Sequence, residues 1–88
     1  MKPNNILKSI KVKICYNKDL KMITHRDFED AVVSEGLDFV NFLNFIFTSY
    51  PDIINKFPPG TLGFTLNGKV PKVDDVLKDG DILEFTTA

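Results

Sequence analysis

Cysteine is nearly absent from this chain. Cys15 stands alone among 88 residues, which excludes an internal disulfide and fits a reducing compartment. Histidine is as scarce, His25 being the only one, so no cluster of His, Cys and carboxylate is on offer for a metal or for a catalytic centre. Charge of one sign is missing too: 11 basic and 12 acidic side chains leave a net charge of −1, and no electrostatic footprint for nucleic acid follows. No apolar run reaches the roughly 18 residues that span a bilayer. The N-terminus, Met1-Lys2-Pro3-Asn4-Asn5, has no apolar stretch of the signal-peptide kind, so a cytoplasmic protein is expected. What remains, 43% hydrophobic and 26% charged, is the composition of a globular chain. Its length predicts one domain over residues 1–88. Eight Phe suggest a core built from a few large rings.

Patterning supplies the elements. Residues 6–16 set Ile10, Val12, Ile14 and Tyr16 against Lys11, Lys13 and Cys15, the period of two of a half-buried strand. After the turn signal Asn17-Lys18-Asp19, two courses are open. Leu20–Ile23 could be a return strand, with Thr24 then capping an early helix. Alternatively residues 17–28 form a long loop and Phe28–Ser34 is the strand, which is the course preferred here. Gly36 suits a sharp change of direction and Asp38 is a good N-cap. The segment Phe39–Tyr50 then places Phe39, Val40, Phe42, Leu43, Ile46, Phe47 and Tyr50 on one arc, so a helix is predicted near residues 38–50. Phe45 falls among the polar residues, and Pro51 ends the helix. Phe57-Pro58-Pro59-Gly60 reads as a rigid connector, and Thr61–Leu66 as a strand with Leu62, Phe64 and Leu66 on one face. Asn67-Gly68 is a tight-hairpin signal, because both residues tolerate positive φ, and a short return at Lys69-Val70 is expected. A second turn, Lys78-Asp79-Gly80-Asp81, launches the closing strand, with Leu83 and Phe85 inward and Ile82 and Glu84 outward.

Little of this carries chemistry. His25 reads as an exposed loop residue and Cys15 as a structural thiol. Asp74, Asp75, Asp79 and Asp81 lack the calcium-loop spacing and read as turn formers. No phosphate loop follows Gly60 and Gly63. The expectation is a non-enzyme without metal or cofactor.

The order β-β-α-β-β predicts an α+β, two-layer protein with one principal helix packed on one face of a mixed four- to five-stranded sheet. Val32-Val33-Ser34-Glu35-Gly36-Leu37-Asp38 and Leu77-Lys78-Asp79-Gly80-Asp81-Ile82 resemble the strand–Gly–helix junction and the closing motif of the β-grasp (ubiquitin-like) sulfur carriers. These are the MoaD/ThiS proteins and the ubiquitin-related modifier. A TGS-like β-grasp domain is the second resemblance, through Gly80–Thr87. The resemblance implies a β-grasp fold with the first and last strands paired in the sheet centre. It also implies a role as co-substrate of an E1-like adenylating enzyme in sulfur transfer. The carriers end in a Gly-Gly tail that is adenylated and converted to a thiocarboxylate, whereas this sequence reads Phe85-Thr86-Thr87-Ala88. A carrier lacking its tail and a non-carrier ubiquitin-like or TGS-like interaction module therefore both stay open. By the resemblance, a partner would grip Thr86, Thr87 and Ala88. Phe45, a ring on a polar helix face, is the candidate contact of an interaction module. No nucleic acid or membrane partner is expected.

Overall fold

The first strand, β1 (Ser9–Cys15), alternates exposed and buried side chains along its length, with Val12 and Ile14 fully enclosed. The computed structural model describes residues 8–58 and 60–87, so Ile6 and Leu7 of the expected strand lie outside the described residues. Residues 17–28, preferred as a loop, instead contain a helix, α1 (Lys18–Thr24). Asn17 caps it by accepting a hydrogen bond from the Leu20 N–H at 2.9 Å, and Leu20 and Thr24, one turn apart, are buried. The helix stops where His25 turns left-handed at φ 62°, its N–H donating to the Lys21 carbonyl at 2.7 Å.

The preferred return strand is present as β2 (Phe28–Ser34), antiparallel to the whole of β1 from Ser9↔Ser34 to Cys15↔Phe28. Gly36 takes φ 93° in the turn that follows, and Asp38 caps α2 (Phe39–Ser49) by accepting from the Asn41 N–H at 3.0 Å. The other first-turn donors are satisfied from outside the helix. Phe39 donates to the Asp75 carbonyl at 2.8 Å and Val40 to that of Val73 at 3.3 Å, as a helix start requires. Phe39, Phe42 and Ile46 are its buried positions. Pro51 ends α2 as expected and also opens a short helix that the sequence did not announce, α3 (Asp52–Lys56), which buries Ile53.

β3 (Leu62–Leu66) leads into the hairpin turn, where Asn67 and Gly68 both take positive φ, 54° and 82°. The expected return strand at Lys69-Val70 shrinks to one bridge between Leu66 and Lys69. The chain then loops to the Gly80 turn and closes in β4 (Ile82–Thr87), antiparallel to β3 and parallel to β1. The sheet has four strands in the order β2-β1-β4-β3. The first and last strands thus lie side by side in its centre, as the resemblance implied, and the arrangement is a β-grasp. Leu83 and Phe85 are buried beneath the helices, whereas Ile82 is 40% exposed. Rings do form the core: Tyr16 stacks on Phe85 at 6.0 Å, Phe64 meets Phe85 edge-on at 5.2 Å, and Phe39 meets Phe64 at 5.7 Å.

Candidate partner-binding surface

Thr86 and Thr87, expected as residues that a partner grips, belong to the ladder: Thr86 pairs with Gly63 and Thr87 with Leu62. Strand alternation turns Thr86 to the outer face of the sheet, where it is exposed. Gly63 lies close beneath it: a Cβ there would sit 2.5 Å from Thr86 Oγ1, so the hydroxyl would have to turn away. The Thr87 hydroxyl donates to Asp19 Oδ2 at 2.7 Å and accepts from Asn17 Nδ2 at 3.0 Å. Asn17 thereby serves two ends of the chain at once, its carbonyl oxygen capping α1 and its amide holding β4. Ala88 lies outside the described residues.

Behind this exit stands a polar knot. The Tyr16 and Tyr50 hydroxyls both donate to Glu29 Oε1, each at 2.9 Å. Burial, then the hydrogen bond and negative charge of Glu29, pushes both phenols above their ordinary value. They stay protonated and tie β1, β2 and the end of α2 together.

Phe45 is 51% exposed, as its place on the helical wheel predicts, and its ring stacks on Phe42 at 6.4 Å. The hydrogen bonds of Thr87 run to the start of α1 and Thr86 lies over Gly63. The two expected contact regions are therefore on separate elements and are not brought together.

A third apolar surface went unannounced by the sequence. On the outer sheet face, register aligns Val32 with Lys11, Phe28 with Cys15, and Ile82 with Lys13. Phe28, Val32 and Ile82 are 51%, 64% and 40% exposed, and Lys13 Nζ lies 4.6 Å above the Phe28 ring. The alternation Phe28-x-Asp30-x-Val32 was the available signal. Cys15, on this face, has its thiol pushed up by burial and by Glu84, away from the thiolate that reactivity needs. His25 is exposed. Among the described residues no group of three or more His, Cys, Asp or Glu could hold a metal, and no helix is long and apolar enough to cross a membrane. A cleft of about 720 Å³ among residues 66–81 has its acids occupied. Asp75 accepts from the Lys72 N–H and Asp81 from the Lys78 N–H, each at 2.8 Å, which is the turn-forming role expected of them.

A four-stranded β-grasp sheet with a central closing strand defines the class of fold, and solved structures share it. Molybdopterin converting factor subunit 1 from Pyrococcus furiosus matches with a TM-score of 0.76 at 22% identity, over 89% of this chain and 97% of that one. Small archaeal modifier protein 1 from Haloferax volcanii matches with 0.76 at 13% identity, over 89% and 94%. A chain of the Amycolatopsis orientalis BexX/CysO complex matches with 0.62 at 15% identity, over 88% and 94%. No protein-family profile matches the chain, and no curated protein matches it in sequence. The resemblance carried by residues 31–50 and 60–87 thus holds at the level of the fold.

Proposed function

We propose that this chain is a sulfur-carrier-like β-grasp protein, a cytoplasmic co-substrate of an E1-like adenylating enzyme rather than an enzyme itself. One observation carries this: the fold matches a molybdopterin converting factor subunit over 97% of that chain. The position of β4 supports it. The strand is held in the sheet centre by β1 and β3, and Thr87 is fastened at the sheet's end by Asn17 and Asp19. Whatever follows Thr87 is therefore aimed by a rigid base, which is what delivery of a carboxylate into a partner's ATP site demands. The partner would read Thr86, Thr87 and Ala88 with the sheet face beside them.

The test is mass spectrometry of the protein isolated from its own cells, with its native C-terminus. Exchange of one carboxylate oxygen for sulfur supports the carrier. An unmodified C-terminus, together with no ATP-dependent complex with an adenylating enzyme, overturns it. The exposed Phe45 ring favours a second reading, an interaction module that docks through α2. Loss of partner binding on Phe45→Ser, with no loss on deleting residues 86–88 from a variant that still folds, would establish that reading instead.

A further inference from the structure

The sheet has two outer strands, β2 and β3, and they are guarded differently. β2 carries Glu29 and Asp30, whereas β3, Leu62-Gly63-Phe64-Thr65-Leu66, carries no charge at all. Charged residues are a common guard against edge-to-edge pairing, and β3 has none. Its hydrogen-bonding direction follows from the turn. Asn67 N–H donates to the Ile82 carbonyl and Ile82 N–H to Asn67 Oδ1, so position 67 points at β4. By the alternation of an antiparallel ladder, Thr65 and Gly63 point there too, and Leu66, Phe64 and Leu62 point outward. Leu66 spends its outward groups on Lys69, at 2.7 and 3.1 Å. Among the described residues, the outward N–H and C=O groups of Leu62 and Phe64 have no hydrogen-bond partner on this edge.

We infer that the β3 edge is a self-association surface, and that its occupant is β3 of a second copy of this chain, antiparallel about a two-fold axis through Gly63. The geometry is self-complementary. With Gly63 opposite its symmetry mate, Leu62 of each copy faces Phe64 of the other, and the outward groups of both pairs close as hydrogen-bonded rings. The axial position is a glycine, so no side chains collide where the strands approach closest. On the inner side, a cleft of about 200 Å³ lined by Phe47, Ile54, Phe57, Pro58, Leu62 and Phe64 opens beside this edge, and Ile54 is 50% exposed at it. The second copy lays its own Leu62 and Phe64 alongside that opening, apolar against apolar. No like charges face each other across the axis, since β3 carries none. Only two residues per copy contribute to the ladder, so the dimer is a weak, reversible one.

Sedimentation equilibrium of the full chain tests this over protein concentrations from about 10 µM to about 1 mM, the range of a weak complex. The expected result is a mass that rises from one copy toward two and no further. Amide exchange at Leu62 and Phe64 should slow as the dimer fills. Ile54→Lys, at a half-exposed helix position, should leave the circular dichroism unchanged and weaken the dimer at least tenfold; Leu62→Lys should abolish it. Each of several results would overturn the inference. They are a single-copy mass throughout, a mass growing beyond two copies, a dimer indifferent to both substitutions in folded protein, or protection of those amides in a monomer only when an unrelated extended peptide is added.

Discussion

The strand β4 is fastened at both ends, and the two fastenings are made of different things. At its start the bonds run from backbone to backbone, as from Lys13 N–H to the Asp81 carbonyl at 2.9 Å, and between side chain and backbone. Lys11 N–H donates to Asp79 Oδ1 at 2.8 Å, Ile82 N–H to Asn67 Oδ1 at 2.9 Å, and Lys78 N–H to Asp81 Oδ2 at 2.8 Å. At its end, Thr87 is held by the side chains of Asn17 and Asp19, and Phe85 is packed between Tyr16 and Phe64. Backbone partners stay in place whatever residue is substituted, so the start tolerates change except at the side chain that supplies the acceptor. The end depends on specific side chains from distant parts of the sequence. Under the proposed function it is also the end that a partner reads.

Substitution separates the two. Phe85→Ala removes the ring that joins the exit to the core and should cost about 3–5 kcal/mol, measured as a shift in the urea midpoint, more than any polar change at either end. Alkali should act on the exit next. The Tyr16 and Tyr50 phenols hold their protons in the folded chain beyond the ordinary value of 10.0, whereas the unfolded chain releases them there. Their contribution is therefore complete below pH 10 and is lost as the pH rises through the folded-state values. Phenolate absorbance should appear only together with loss of the fold, and phenolate formed in fully folded protein at pH 10 would refute this. At the start, Asn67→Ala should cost about 2 kcal/mol, by leaving the Ile82 N–H without its acceptor and by straining φ at 54°. Gly63→Ala should cost about 1 kcal/mol through its clash with Thr86, and Thr86→Ala in the same chain should restore most of it. Thr87→Val, which removes only the exit hydroxyl, should cost under about 1 kcal/mol. If it cost more than Asn67→Ala, the two ends would have been ranked in the wrong order.

The difference also explains what the sequence made legible. Local signals announced the start of β4, since Asn67-Gly68 and Asp79-Gly80-Asp81 specify their turns within four residues. The same holds for the alternation of β1, the Asp38 cap and the apolar arc of α2. The exit was read less well because its partners are remote. Nothing near Thr86 and Thr87 says that Gly63 and Leu62 will pair with them, or that Asn17 and Asp19 will hold the Thr87 hydroxyl. The helix α1 was missed because Leu20-Lys21-Met22-Ile23 suits a strand as well as a helix, and only burial of Leu20 and Thr24 decides between the two. A five-residue helix such as α3 is too short for periodicity to declare. Of the candidate contacts, Phe45 could be found from a wheel. The outer-face group of Phe28, Val32 and Ile82 becomes visible only once three strands are in register.

The pairing of β1 with β4 sets the order in which this protein can be made. A ribosome releases β1 well before its central neighbour; Lys11 waits for Asp79, 68 residues on. At roughly 5–20 residues per second that wait is roughly 3–15 s. For that interval β1, β2 and the helices are out with the inner edge of β1 unpaired and Val12 and Ile14 uncovered on one side. Folding of the sheet is thus a closing event that waits for β4 rather than a growth along the chain, and nascent chains stalled before Ile82 are the form in which this protein is most exposed to chaperones and proteases.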